Sequence, residues 1–118
     1  MSAGKERPAR YTLTFGLDIA ADLAALQAVA PAALDPAQAI LDDLAHGRVR
    51  GKLLGSRNVS GDLTGLARVK FDLPKRQPQR FRVVYREVDG ATRHVAAIGL
   101  RDEHAIYRAA ASRIAAES

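Results

Sequence analysis

Apolar and polar residues alternate at residues 11–15 and 67–73, and a period of two predicts β-strands. We also expect strands at residues 81–88 and 92–99. Between the last two, Asp89-Gly90 is a strong signal for a hairpin with a two-residue loop. The connections among the last three strands are too short for crossovers, so we expect these strands to be antiparallel.

Three helices are predicted from apolar residues that repeat at helical spacing. The first follows Asp18, which can cap it, and stops at Pro31. The second starts at Asp35-Pro36, where aspartate caps and proline takes the first helical position, and it ends at His46-Gly47. The third follows a capping Asp102 and carries one apolar face. The first two helices, joined by a short link, are expected to form a helical hairpin.

The predicted order of elements is β-α-α-β-β-β-α, which indicates an α+β domain. We expect a mainly antiparallel four-stranded sheet with the N-terminal helical hairpin packed on one face, followed by a C-terminal helix. The other sheet face is expected to be left for water or a partner. The glycine-punctuated segment 47–65 is predicted to be a loop, with a short extended piece at residues 52–54. Length favours one domain over residues 10–118, after a disordered tail at residues 1–9.

Positive charge is concentrated in the second part of the chain. Residues 1–47 carry three Lys/Arg and six Asp/Glu, whereas residues 48–118 carry fifteen Lys/Arg and seven Asp/Glu. Codon usage in a GC-rich genome would account for the number of arginines but not for their position. A segment with this excess of cations attracts polyanions such as nucleic acids and releases their counterions on contact.

The residues that are missing also limit the chemistry. The absence of cysteine excludes disulfides and thiolate catalysis. His46, His94 and His104 do not have the spacing of a metal-ligand set, so neither a metal nor another cofactor is predicted. The chain begins with a polar stretch rather than the apolar segment of a signal peptide, and it has no apolar run of membrane-spanning length. These features favour a soluble cytoplasmic protein.

Five residues of the second part could form one phosphate-binding site. Arg68 and Lys70 lie on the same face of the second strand, and Arg82 belongs to the third. Arg101 and Tyr107 flank the start of the last helix. We expect these five side chains to converge in a shallow hollow that is open to solvent. The alternative is an ordinary solvated sheet face, with Tyr107 packed in part against its neighbours.

Three stretches of the chain resemble the RelE/ParE superfamily of bacterial type II toxin–antitoxin toxins. They are VSGDLTGLARVKF (59–71), FRVVYREVDG (81–90) and AIGLRDEHAIYRAAASRI (97–114). The last stretch has glycine, then Arg101, then Tyr107 six residues later, a pattern that is moderately specific for the family. The resemblance extends over nearly the whole chain from residue 11, and it is closest to the RelE-like branch.

The resemblance implies an endoribonuclease that cuts mRNA in the ribosomal A site and thereby inhibits translation. It implies a catalytic set of Arg68, Lys70, Arg82, Arg101 and Tyr107. Attack of a 2′-OH on its phosphate needs charge stabilisation, for which Arg82 and Arg101 are suited, and proton transfer, for which Lys70 or Tyr107 is suited. Tyr107 could equally stack on a base. Arg68 replaces a lysine of the best-known nuclease, and it keeps the charge without being able to give up a proton.

The resemblance also implies partners, namely a cognate antitoxin in a hetero-oligomer, the ribosome and mRNA. Six further cations are expected to contact RNA phosphates as sequence-independent anchors. They are Arg50, Lys52, Arg57, Lys75, Arg76 and Arg80. Three alternatives stay open: a ParE-like toxin that binds DNA gyrase without nuclease activity, a non-catalytic nucleic-acid-binding module of the same fold, and a family member that has lost activity.

Overall fold

The computed structural model describes residues 9–57, 61–73, 80–100 and 105–117, with the backbone alone for residues 56–57 and 61–64. Within these ranges the chain forms five β-strands and three α-helices. In chain order they are β1 (Thr12–Phe15), α1 (Ile19–Val29), α2 (Leu34–His46), β2 (Lys52–Arg57), β3 (Gly61–Phe71), β4 (Phe81–Asp89), β5 (Thr92–Leu100) and α3 (Ala105–Glu117). The protein is therefore of the α+β class, as predicted.

Two of the predicted features lie outside the described residues. They are the capping Asp102 and the disordered tail, of which only residue 9 is described. Among the helices that are described, none is long and apolar enough to cross a lipid bilayer.

The strands form one sheet in the order β1-β5-β4-β3-β2. The strands β2 to β5 are antiparallel neighbours, and β1 runs parallel to β5 at the opposite edge. The prediction of four strands is wrong, because the segment predicted to be a loop forms β2 and the first part of β3. Gly55 and Gly65 lie inside these strands with φ angles of 70° and 85°. Left-handed glycines interrupt the alternation of side chains, so the strand period is not visible in the sequence.

The helical hairpin packs on one face of the sheet and forms the main core, as predicted. Phe81, Val83 and Tyr85 of β4 occupy alternate positions of the strand and are buried in it. The helices contribute the other large apolar side chains, namely Ile19, Leu26, Leu41 and Leu44. Burial of one such side chain stabilises the fold by about 1.5–3 kcal/mol.

The opposite face of the sheet is partly covered by α3, and this corrects the prediction of an uncovered face. Ile106, Tyr107 and Ala110 of the helix pack against Leu66 and Val84 of the strands. The apolar stripe of the helix was visible in the sequence. The surface that it covers depends on the path of the chain after β5, which a local pattern does not determine.

The ends of the helices differ in part from the prediction. Asp18 lies at the N-cap of α1 but makes no capping hydrogen bond. A 3-10 turn at Pro31–Ala33 precedes α2, whose N-cap is Ala33, so the prediction that Asp35 caps this helix is wrong. The predicted C-terminal end is confirmed, because Gly47 caps α2 in the left-handed conformation with a φ of 71°. The loop between β4 and β5 is Gly90-Ala91, one residue later than predicted.

Gly51, just before β2, occupies a position that has no room for a side chain. Its backbone N–H donates to the hydroxyl of Tyr85 at 2.8 Å. A Cβ atom there would lie 2.7 Å from the carbonyl oxygen of Arg68 and 2.8 Å from Cε1 of Tyr85. The glycine therefore allows the chain to pass closely over β3 and β4 before it enters the sheet.

We expect Gly51→Ala to lower the free energy of unfolding by about 1–3 kcal/mol, because the methyl group displaces backbone and a buried ring. Urea-induced unfolding followed by circular dichroism measures the change. Gly90→Ala is the matched control, since a Cβ at Gly90 meets no atom within 4 Å. A loss for Gly51→Ala no larger than that of the control would contradict the prediction.

Candidate nucleic-acid interface

Five cations among the described residues lie on one face of three adjacent strands. Arg86 of β4, opposite Leu66, is one of them. The other four are next to one another, and we call this set of four the basic face. It consists of Lys52 on β2, Arg68 and Lys70 on β3, and Arg82 on β4. Lys52 is directly opposite Arg68, and Lys70 is directly opposite Arg82. Directly opposite residues have Cβ atoms about 4.5–5.5 Å apart. The predicted alignment of Arg68, Lys70 and Arg82 on one face is therefore present in the sheet.

The alternation of β3 explains why the cations share this face. Ala67, Val69 and Phe71 point into the core under the helical hairpin. The residues between them, Arg68 and Lys70, consequently point to the face on which α3 packs. Because α3 covers only part of this face, Lys70 remains exposed and Arg68 remains half-buried.

Arg82 and Tyr107 are in direct contact. Nε of Arg82 donates to the Tyr107 hydroxyl at 3.1 Å, and Nη1 donates to the carbonyl oxygen of Phe81 at 3.0 Å. Since guanidinium has no acceptor, the phenol oxygen is the acceptor in this bond and its own proton points elsewhere. The contact fixes the orientation of both side chains.

Arg82 and Tyr107 are more deeply buried than the sequence analysis expected. Only 4% of Arg82 and 4% of Tyr107 is exposed, so these two side chains do not line a hollow that is open to solvent. The physical reason is that α3 packs on the sheet with the Tyr107 side chain turned toward the strands, where it contacts Arg82. The accessible positive charge of the basic face is therefore on Lys52, Arg68 and Lys70.

Ionic contacts at the edge of β5 hold α3 in place over the sheet. Arg113 of α3 forms a two-armed contact with the carboxylate of Asp22 in α1, at 2.7 and 2.9 Å, and a longer one of 3.3 Å with Asp18. Its hydrogen bonds to Asp22 raise the pKa of the Arg113 guanidinium. Arg113 also donates to the carbonyl of Ala96, while Asp22 accepts from the backbone N–H of Ile98. The position of Tyr107 thus depends on contacts that reach across the sheet edge.

A second polar contact anchors the end of α3. His94 on β5 lies 3.1 Å from the carboxylate of Glu117, and its other ring nitrogen is 2.7 Å from Oγ1 of Thr14 on β1. The sequence analysis did not assign this group, because its members come from three separate elements. It links β1, β5 and α3 at the end of the sheet away from the basic face.

The sequence analysis also missed Arg93, which is one of the most buried side chains. Only 2% of it is exposed, and its guanidinium carbon lies 3.9 Å from the ring centre of Tyr11 and 5.3 Å from that of Tyr85. Nη1 donates to the carbonyls of Leu44 and Val49. One signal was available in the sequence, since an arginine at position 93 is in phase with the buried residues of β5.

The remaining predicted RNA contacts are distributed around the molecule. Arg80 is exposed beside the ring of Phe81. Arg50 is exposed too, but it lines a cleft on the other side of the sheet, together with Tyr85 and Glu87. The side chain of Arg57 is outside the description, and three other predicted residues lie wholly outside it, namely Lys75, Arg76 and Arg101.

The described residues contain no group of three or more His, Cys, Asp or Glu side chains that could hold a metal ion. The basic face has the opposite character, since its donors are lysine and arginine. Such donors bind anions, and arginine in particular matches two oxygens of one phosphate. The arrangement is therefore suited to a polyanionic ligand.

No protein-family model, curated protein or solved structure matches this chain.

Proposed function

We propose that this protein is the toxin of a type II toxin–antitoxin system and that it cuts mRNA on the ribosome without a metal ion. The row formed by Lys70, Arg82 and Tyr107 supports this proposal best. Lys70 and Arg82 are opposite each other on adjacent strands, and the Arg82 side chain contacts the Tyr107 hydroxyl at 3.1 Å. A phosphate-binding cation, an amine and a phenol are thus brought together, although they are far apart in the sequence.

The chemistry proposed for this row is attack of a ribose 2′-OH on the adjacent phosphate. That reaction needs in-line geometry, stabilisation of charge on the phosphorane, and proton transfer at the attacking and leaving oxygens. Exposed Lys70 can meet the phosphate from the solvent side. Lys70 is also the proposed group for proton transfer, since lysine, unlike arginine, can give up a proton in proteins.

Arg82 and Tyr107 have a different role in the proposal, because both are buried. Their hydrogen bond holds the guanidinium in a fixed orientation beside Lys70. A preorganised positive charge at this place stabilises negative charge that develops on the phosphate. Tyr107 is then a positioning residue for Arg82, and it becomes a direct participant only where RNA binding uncovers its hydroxyl.

The proposed partners are those that the resemblance to RelE-like toxins implies, and the distribution of charge is compatible with them. A set of exposed cations around a site without an efficient base is suited to an enzyme whose substrate is oriented by the ribosome. Between rounds of activity, the antitoxin is proposed to mask the same face with acidic or helical segments. The toxin would accordingly act in the cytoplasm.

One observation favours a second candidate function. Because the Tyr107 hydroxyl is buried and already accepts from Arg82, it is not presented to a ligand. A non-catalytic module that grips the nucleic-acid backbone with Lys52, Arg68 and Lys70 needs no accessible phenol. Such a module would bind RNA with a strong dependence on salt but would not cleave it.

The two candidates are separated by inducing the protein in a bacterial host. We expect the wild type to arrest growth and produce new mRNA ends within coding regions, as mapped by primer extension. Lys70→Ala is expected to prevent both effects, whereas Arg108→Ala should leave them unchanged, because Arg108 is an exposed arginine of α3 outside the basic face.

Intact mRNA during growth arrest would contradict the nuclease proposal. Salt-dependent RNA binding by the purified protein without cleavage on translating ribosomes would favour the binding module. Toxicity that persists in Lys70→Ala would argue against the basic face as the site of action in either case.

A further inference from the structure

Lys52 and Arg68 are like charges directly opposite each other on adjacent strands, and cleavage does not require this arrangement. We infer that these two side chains form a second phosphate position, which holds the RNA phosphate next to the one bound at Lys70 and Arg82. The inference rests on the proposed function in one respect, since it takes single-stranded RNA as the ligand. It adds a subsite and a direction for the RNA backbone across the sheet.

The first support is the placement of like charges directly opposite each other. Lys52 pairs with Arg68 in the register of β2 and β3. Like charges at such positions destabilise a sheet. Within the part of the chain that the structure describes, neither side chain has a hydrogen bond or an ion pair that offsets the repulsion. An anion placed between the two would convert this repulsion into a shared attraction.

The second support is the spacing of the two cation pairs. Arg68 and Lys70 are two residues apart on β3, which corresponds to about 6.8 Å along an antiparallel strand. The pair at Lys52 and Arg68 is therefore one side-chain repeat away from the pair at Lys70 and Arg82. This separation is comparable to that of neighbouring phosphates in an extended RNA strand, so the backbone can follow β3 with one phosphate at each pair.

The third support is the different environment of the two side chains. Arg68 is half-buried, which restricts its guanidinium, whereas Lys52 is exposed on the strand at the sheet edge. The guanidinium of Arg68, which is restricted by burial, and the ammonium of Lys52, on a flexible side chain, can bind one phosphate from two sides. Contacts of this kind fix the register of a nucleic acid without reading its sequence.

The test compares short RNAs that cannot be cleaved. A 2′-O-methyl dinucleotide has one internucleotide phosphate and the corresponding trinucleotide has two, and the methyl group removes the attacking hydroxyl. NMR titration of the wild type at low salt is expected to show tighter binding of the trinucleotide. In Lys52→Glu we expect the affinity for the trinucleotide to fall by about tenfold, so that most of its advantage over the dinucleotide is lost. The reason is that the new carboxylate pairs with Arg68 and excludes the phosphate.

Arg108→Glu is the matched control, since it makes the same change of net charge on the exposed side of α3. It should keep the preference for the trinucleotide. Thermal unfolding supplies an independent readout without RNA. Lys52→Glu is expected to raise the Tm of the free protein, because it replaces the repulsion with a cross-strand ion pair, while Arg108→Glu should not.

An unchanged preference for the trinucleotide in Lys52→Glu would overturn the inference. Tighter binding of duplex DNA than of single-stranded RNA of the same length would overturn it as well. Neither measurement involves cleavage or the ribosome. Loss of the preference in Lys52→Glu, together with a wild type that does not cut mRNA, would therefore refute the proposed nuclease and leave the second phosphate position standing.

Discussion

Cleavage of ribosome-bound mRNA is expected to slow by about 10²-fold or more when Tyr107 is replaced by phenylalanine. The change removes only the hydroxyl that accepts from Nε of Arg82 at 3.1 Å. Without it, the guanidinium loses the contact that, in the proposed mechanism, orients it toward the phosphate beside Lys70. Single-turnover cleavage of a defined mRNA on programmed ribosomes measures the effect directly.

The same variant also loses some stability, because a buried donor of Arg82 loses this partner at a cost of about 1–3 kcal/mol. Rates must therefore be compared at a temperature at which circular dichroism shows both proteins folded. Arg108→Ala, on the same helix but exposed, is expected to cleave like the wild type. A rate for Tyr107→Phe within twofold of the wild type would show that the Arg82–Tyr107 contact is structural only.

A pH–rate profile distinguishes the two roles proposed for the phenol. If Tyr107 only positions Arg82, the profile of Tyr107→Phe should keep its shape at a lower level. If the hydroxyl transfers a proton during the reaction, the alkaline limb of the profile should change. The structure favours the first outcome, because Tyr107 is buried.

Arg93→Met is expected to lower the free energy of unfolding by about 2–5 kcal/mol, because two carbonyl groups lose a buried donor at about 1–3 kcal/mol each. Arg93 links three parts of the fold. Its Nη1 binds the carbonyls of Leu44, near the end of α2, and of Val49 in the next loop, at 2.9 and 3.0 Å. Its planar group also packs over the ring of Tyr11 ahead of β1.

Urea unfolding measures this loss, with Arg108→Met as the control for removal of an exposed arginine. The control is expected to stay within about 0.5 kcal/mol of the wild type. Arg93→Lys should not restore the stability, because an ammonium cannot stack between two rings and bind two carbonyls in a plane. A loss below 1 kcal/mol for Arg93→Met would mean that the two carbonyls find other partners.

Elements that are determined by local interactions were predicted more accurately than elements that depend on contacts between distant residues. The strand near residues 67–73 was predicted because its alternation is uninterrupted and every second side chain enters one core. The strand β2 was predicted only as a short extended piece at residues 52–54. Gly55 has a left-handed backbone, and the pairing of β2 with β3 depends on contacts between distant residues. The end of α2 at Gly47 was predicted because a C-cap is a local feature.

In the candidate site, too, the local features were predicted and the long-range features were not. Alternation alone put Arg68 and Lys70 on one face, and the order of the strands brought Arg82 to the same side. The burial of Arg82 and Tyr107 was not predicted, since it depends on where α3 docks. Nor did any local pattern place Lys52 opposite Arg68.

The contacts of Asp22 and Arg113 have a consequence for association between molecules. The strand β1 pairs with β5 only from residue 92 to 95, so residues 96–100 of β5 form an unpaired edge of the sheet. Arg113 donates to the carbonyl of Ala96 there and Asp22 accepts from the N–H of Ile98, so two of the groups that would template a foreign strand are already bonded. Side chains thereby protect this sheet edge against the edge-to-edge aggregation to which unpaired strands are prone.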